Sequence, residues 1–226
     1  MFCLCGCGGT GRFVYPENYS SMAMVVGTSP RFPGKVAVMP FVDCRSGDNL
    51  GITVMLAFIP GCPFGFREYE RPESAGSFTT LSGCDIRPDE ELAKAAVTSL
   101  KRSGLFRDAY FTYGGEAGAA DYVLEGDIRS TYYKGRTLTY GCSVYGLFFW
   151  VVGAPVGTSL NRLSLALRLK DRTGAVVWSY SFDHDDYLVQ GLYYRNGSDV
   201  SLYARLMQQG MNDAIRDLAA GGRKEK

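Results

Sequence analysis

Leu160-Asn161-Arg162-Leu163-Ser164-Leu165-Ala166-Leu167-Arg168-Leu169-Lys170 runs into Asp171-Arg172-Thr173-Gly174, and Ala175-Val176-Val177-Trp178-Ser179-Tyr180-Ser181-Phe182 follows. Successive side chains of a strand point to opposite faces, so a period of two marks a half-buried strand. Here Leu163, Leu165 and Leu167 share one face, and Arg162, Ser164 and Arg168 lie largely opposite. The Asp-x-x-Gly turn between the two runs predicts an antiparallel hairpin over residues 160–182. One apolar face of such a hairpin needs a cover. The segment after it supplies one: Tyr203, Leu206, Met207, Gly210, Met211, Ala214, Ile215 and Leu218 recur at helical spacing. Ser198 or Asp199 is the expected N-cap, and Gly221-Gly222 ends the helix.

Moving upstream, Asp121 to Ser130 reads as a strand, with Tyr122, Leu124 and Ile128 on one face and Glu125, Asp127 and Arg129 on the other. It is expected to continue through Tyr132 and Tyr133 into a turn at Lys134-Gly135. Pro88-Asp89-Glu90-Glu91 opens a helix, since proline suits the first helical position and acids complement the helix dipole. Leu92, Ala95, Ala96 and Leu100 form its apolar stripe, and Gly104 stops it. Asp108 to Tyr113 is a short strand, and Lys35 to Phe41 is a buried strand ending at Pro40. The expectation is a single α/β (α+β) domain over 35–220. Its mixed sheet pairs the strand at Lys35 with that at Asp121, sets the hairpin beside them, and carries both amphipathic helices on one face. Gly8, Gly9, Gly11, Pro16, Pro30, Pro33 and Gly34 mark residues 8–34 as a disordered tether. Residues 221–226 read as a frayed tail.

Two apolar runs interrupt this scheme, Leu50 to Phe66 and Val144 to Val156. Both are broken by Gly and Pro, and neither reaches the roughly 20 residues of a membrane-spanning helix. They read either as buried strands and loops of the core or as loops that meet a membrane or a partner. Phe148, Phe149 and Trp150 are the candidate contact residues of the second reading, because aromatic side chains suit membrane interfaces.

With 24 basic and 23 acidic residues, the net charge of +1 gives no electrostatic case for nucleic acid or acidic lipids. Seven cysteines include no Cys-x-x-Cys pair, and His184 is the sole histidine, so zinc spacing is absent and no metal or other cofactor is expected. Cys44, Cys62, Cys84 and Cys142 could form two disulfides in an oxidising compartment or remain buried thiols; sequence leaves the pairing open. His184 lies in Asp183-His184-Asp185-Asp186, but neighbours on an extended segment alternate in direction and do not converge on one ion. No Gly-x-Ser-x-Gly nucleophile elbow is present. Gly6-Cys7-Gly8-Gly9-Thr10-Gly11 matches a dinucleotide fingerprint by letter, yet Pro16 and loop composition follow where a helix would have to open. The expectation is a protein that is not an enzyme.

Leu4-Cys5-Gly6-Cys7 resembles a bacterial lipobox, in which the final cysteine becomes the lipidated N-terminus. Residues 1–7 then read as a signal-peptide remnant. Six residues, none charged, precede Cys7, so either the basic stretch and apolar core of a secretory signal lie upstream of Met1 or the segment is an apolar, Cys-rich N-terminus with no processing. Further along, Val36-Ala37-Val38-Met39-Pro40-Phe41, Ser103-Gly104-Leu105-Phe106 and Ala120-Asp121-Tyr122-Val123-Leu124-Glu125-Gly126-Asp127-Ile128 occur in order. This series resembles a group of bacterial envelope lipoproteins. The group includes the curli-secretion-channel family, the penicillin-binding-protein activator lipoproteins and the ABC-transport auxiliary lipoproteins. The N-terminal domain of the Tol-system translocation protein is a more distant relative. The resemblance covers roughly residues 35–182 and implies an outer-membrane protein on the periplasmic side, anchored through Cys7. It implies a non-catalytic accessory module that binds an envelope protein partner, or an oligomeric subunit of an export assembly. No catalytic residues come with this group. The long apolar insert before the first helix departs from its pattern. Neither apolar run alternates as a membrane-spanning hairpin would.

Overall fold

The computed structural model describes residues 10–24, 31–47, 51–74, 83–115, 117–195 and 197–221. In chain order the strands and helices are β1 (Thr10–Arg12), β2 (Phe32–Val38), β3 (Val42–Asp43), β4 (Gly51–Thr53), β5 (Phe64–Tyr69), β6 (Gly83–Asp85), α1 (Pro88–Ser103), β7 (Phe106–Phe111), β8 (Tyr122–Ser130), β9 (Tyr133–Leu138), α2 (Leu147–Val151), β10 (Pro155–Asp171), β11 (Val176–Gly191) and α3 (Ser201–Ala220).

The alternating segment quoted above is the middle of a longer hairpin. β10 pairs with β11 antiparallel from Pro155↔Gly191 to Lys170↔Val176, turning at Asp171–Gly174. Seventeen residues of β10 span about 55 Å at the rise of a strand. On its other side, β10 carries two different neighbours. Residues 164–171 pair with β8, and residues 157–161 pair with β9. The sheet therefore branches. One branch runs β10-β8-β2-β7, with β2 parallel to both β8 and β7. The other runs β10-β9-β5-β4 and is antiparallel throughout. Thr131 and Tyr132 separate β8 from β9. The expected turn at Lys134-Gly135 is not there: both residues lie inside β9, paired with Leu160 and Ser159 on one side and with Glu68 and Arg67 on the other.

The first branch holds the core. α1 and α3 pack together against one face of the sheet, as the two apolar stripes require. Leu163, Leu165, Leu167 and Leu169 of β10 and Val36, Leu124 and Ile128 meet Leu92, Ala96, Leu206, Met207, Met211 and Ile215 of the helices, all essentially excluded from solvent. The opposite face is laced with cross-strand ion pairs, Lys170–Glu125, Arg168–Asp127 and Arg162–Asp183, which suits a face turned to water. α1 ends at Gly104 in the left-handed conformation (φ 71°), as its sequence predicts. The start of α3 differs from expectation: Val200 is the N-cap, with no side-chain cap bond. Asp199 is buried instead, and its carboxylate accepts from the Tyr133 hydroxyl at 3.1 Å.

The predicted tether is in large part docked. β1 pairs parallel with β6, Phe13 and Met22 are buried, and Arg205 of α3 holds Glu17 through two hydrogen bonds at 2.9 Å. Tyr15 shares a hydrogen bond with Ser99 of α1, and burial pushes its phenol up to about 12. Residues 10–24 cross α1 and α3 without adding to the main sheet, whereas Pro33 and Gly34, also read as linker, lie in β2 of that sheet. Gly8 and Gly9 lie outside the described residues, as do residues 25–30 and 222–226.

Candidate functional site

β10 begins, β9 and β11 end, and β5 begins at one end of the second branch, as the pairs Pro155↔Gly191, Gly157↔Thr137 and Phe64↔Leu138 require. The segments joining these strand ends meet there. They are the 3-10 turn Val54–Phe58 with Ile59, the turn and helix from Ser143 through α2 to Val152, and Leu192–Tyr194 after β11.

The segments are tied by hydrogen bonds that use few side chains. Tyr140 and Gly141 are both left-handed (φ 59° and 77°), forming a tight reversal closed by Cys142 N–H to the Thr139 carbonyl at 2.9 Å. Fully buried Thr139 donates to the Ala57 carbonyl at 2.6 Å, and Gly61 N–H donates to the Gly141 carbonyl at 2.9 Å. Ser143 donates to the Phe58 carbonyl, and Tyr193 to that of Val151 at 3.0 Å. Gly146 is needed for contact: a Cβ there would stand 2.3 Å from the Thr139 carbonyl oxygen. Tyr140 donates to the Pro155 carbonyl, and its ring lies 5.2 Å from that of Phe149. Burial, with Tyr194 nearby, raises the Tyr140 phenol above its ordinary value.

What this scaffold displays is apolar. Phe148 is 69% exposed, Val152 80%, Met55 78% and Tyr193 68%. Val144, Tyr145, Leu147, Phe149, Val151, Phe58, Ile59, Leu192 and Tyr194 are exposed beside them, and no residue of α2 is buried. A contiguous exposed apolar patch calls for a covering surface. The core reading of the two apolar runs is thus overturned for these residues. They sit past the end of both long helices, so nothing described in the chain covers them. Of the three residues singled out from sequence, Phe148 and Phe149 are displayed. Trp150 is a support: it is half-buried, and its indole N–H donates to the Leu138 carbonyl at 2.7 Å. Sequence reading held Met55 within the first apolar run without singling it out, and it missed the Leu192–Tyr194 segment as a member of this surface. The signal of that segment was available only as proximity: Tyr193 and Tyr194 follow the second strand of the hairpin, whose length sets them beside α2.

The other candidates lie elsewhere. Cys7 is outside the described residues. Cys44 and Cys142 are exposed thiols and Cys62 a half-buried one; these three are neither paired nor fully buried, and the side chain of Cys84 is not described. His184 stacks on Phe182, with Nε2 3.5 Å from an Asp213 carboxylate oxygen. That separation fits an ion pair only if the ring is protonated, and Nε2 makes no hydrogen bond. Asp183 binds Arg162 on the opposite face and Asp186 binds Arg205, so the four residues diverge as strand alternation dictates. Among the described residues, no three His, Cys, Asp or Glu side chains gather as a metal site, and no helix is long and apolar enough to cross a membrane.

No family model matches the chain, and no curated protein matches it. Among solved structures, it is similar to protein XCC0632 of Xanthomonas campestris, family-model DUF330, with 14% identity over 87% of this chain and 88% of that one at a TM-score of 0.42. It is also similar to the PelC dodecamer of Paraburkholderia phytofirmans, with 14% identity over 84% and 92% at a TM-score of 0.43. A third is lipoprotein GNA1162 of Neisseria meningitidis, with 13% identity over 83% and 99% at a TM-score of 0.29. Likenesses this distant carry no argument about what this chain does.

Proposed function

We propose that this chain is a non-catalytic accessory module of the bacterial envelope, held to the outer membrane on its periplasmic side by a lipid on Cys7. The observation that carries this reading is the exposed apolar tip formed by α2 and its two neighbouring segments. It fits a protein whose work is contact. The path of the N-terminal chain is consistent with the anchor. β1 lies beside β6, which leads into the start of α1. That start lies at the end of β2, where Phe41 N–H binds the Asp89 carbonyl at 3.0 Å. The chain leading from Cys7 thus enters the helix-backed half at the end turned toward the tip. The test is expression with the native upstream region, followed by fatty-acid labelling and fractionation. Label and membrane association that both vanish in Cys7→Ser support the reading. A soluble, unlabelled chain indifferent to Cys7→Ser overturns it.

One observation favours a second reading, an oligomeric subunit of an export assembly. β11 is a 16-residue strand that pairs among the described residues with β10 only, and an open strand edge is a template for pairing with another copy. Size-exclusion chromatography with light scattering in detergent decides it. A stable monomer removes the assembly.

A further inference from the structure

We propose that the tip is an interfacial membrane-binding element, which buries Phe148, Phe149 and the apolar side chains around them at the boundary between headgroups and acyl chains of an anionic bilayer. The inference rests on the reading of the tip as a contact surface. It is independent of the lipid on Cys7.

Four features select lipid over a protein partner. First, α2 has no buried residue: Leu147, Phe148, Phe149 and Val151 are exposed, and Trp150 is half-buried as the support that ties the helix to Leu138. A fluid apolar phase takes all four exposed side chains without needing a shaped partner surface. Second, the chain carries no charge from Asn49 to Phe66 or from Thr137 to Asn161, so the segments that would enter the bilayer bring no ion with them. Third, α2 has five residues, about 7.5 Å along its axis, which falls far short of the hydrocarbon core and is of the size of an interfacial contact.

The fourth feature is basic flanks. Arg67 follows the first uncharged segment, Arg136 precedes the second, and Arg195 follows Leu192–Tyr194 in sequence. Arg136 is fixed at the base of the tip, with its guanidinium 5.1 Å from the centroid of the Phe64 ring. The nearby acid, Glu68, is paired with Lys134. Arg136 at the base of an apolar, Tyr- and Phe-rich tip fits phosphate headgroups. The near-neutral whole chain is no objection, because screening confines the interaction to charges within about a Debye length of the surface.

The test uses the full chain with Cys7→Ser, so that no acyl chain contributes. It is floated with phosphatidylcholine vesicles and with vesicles containing phosphatidylglycerol. The expected result is flotation that rises several-fold with phosphatidylglycerol and falls with added salt. Fluorescence of Trp150, one of the two tryptophans, shifts to the blue and is quenched by brominated acyl chains. Trp178 is buried against α3 and adds only a constant background. F148S combined with F149S lowers vesicle affinity at least about tenfold, while the urea midpoint of the free chain stays unchanged. Absence of flotation in the Cys7→Ser chain overturns the inference even if Cys7 proves to be lipidated in cells. So does binding that ignores the two serine substitutions. A stable oligomer in solution that those substitutions dissociate would assign the tip to a second copy of the chain and overturn it too.

Discussion

Leu165 and Asn161 stand on the same face of the same strand, yet they belong to two different kinds of structure. Leu163, Leu165, Leu167 and Leu169 look onto α1 and α3 and lie in the apolar core. Asn161 and Ser159, equally buried, look onto polar groups: Asn161 donates to the Asp199 carbonyl at 2.8 Å, and Ser159 accepts from Gln190 at 3.2 Å. The change falls where α3 starts and where β10 exchanges β8 for β9. One half of the hairpin is held by burial of apolar area, which is non-directional and large. The other is held by hydrogen bonds, which are directional and contribute less each. The second half can therefore carry an uncovered apolar tip without that tip collapsing into the core. The tip's supports are backbone carbonyls and a few hydroxyls, and its apolar side chains are left over for contact.

This contrast predicts a gradient of effects along the molecule. The largest is in the helix-backed half, where Leu165→Ala opens a cavity under both helices and costs about 3 kcal/mol, read as a fall in the urea midpoint. Next is the joint between the halves. Arg45 is nearly excluded from solvent, binds Asp43 and Glu73 with two hydrogen bonds each, and donates to Thr131 at 2.6 Å. Burial opposes its charge, but the two carboxylates outweigh that opposition and raise its pKa. Arg45→Met is expected to cost about 2 kcal/mol at pH 7, less than a wholly buried pair because both acids keep some contact with water.

The sign of its pH dependence follows from Asp43. The hydrogen bond from Arg45 holds the Asp43 carboxyl below its ordinary value. The stabilisation is therefore fully present above the unfolded pKa of about 3.9 and disappears as pH falls through the lower folded value. The difference in urea midpoint between wild type and Arg45→Met should be constant from pH 6 to 7, as a rough range, and shrink well below pH 4. An equal difference at pH 7 and in strong acid would mean that packing of the long side chain, not the ion pair, ties the halves together. The smallest effect is at the polar half's own seam: Asn161→Ala loses one buried hydrogen bond, worth about 1 kcal/mol. If it matched Leu165→Ala, the two halves would be one cooperative core, and the contrast drawn above would fail.

The core was legible in the sequence wherever one periodicity dominated. The stripe Leu92, Ala95, Ala96, Leu100 and the stripe from Tyr203 to Leu218 each mapped to a buried helix face. The alternation from Leu163 to Leu167 mapped to the strand they cover. The joint was illegible because its signals are ambiguous in one dimension. Lys134-Gly135 has turn chemistry, but pairing on both sides makes it strand. Asp199 has N-cap chemistry, but Tyr133, distant in sequence, claims its carboxylate. The segment 10–24, which has no helical or strand periodicity, reads as part of a tether until Arg205, Gln208 and Asn212 of α3 hold it.

The site divides in the same way. Sequence determined that two uncharged apolar runs exist and that aromatic residues crowd the second. It also determined the hairpin whose length governs where those runs end up. Sequence by itself could not decide whether the runs were inside or outside, since a run of apolar residues has the same composition in a core as in a contact surface. Tertiary structure decided it by placement: β10 extends beyond the reach of α1 and α3, so the segments at its far end have no helix to cover them. The same placement turned Trp150 inward, displayed Phe148 and Phe149, and brought Met55 and Tyr193 from distant parts of the chain onto one surface. Burial depends on what is opposite a side chain, and that is a property of the fold rather than of the residue.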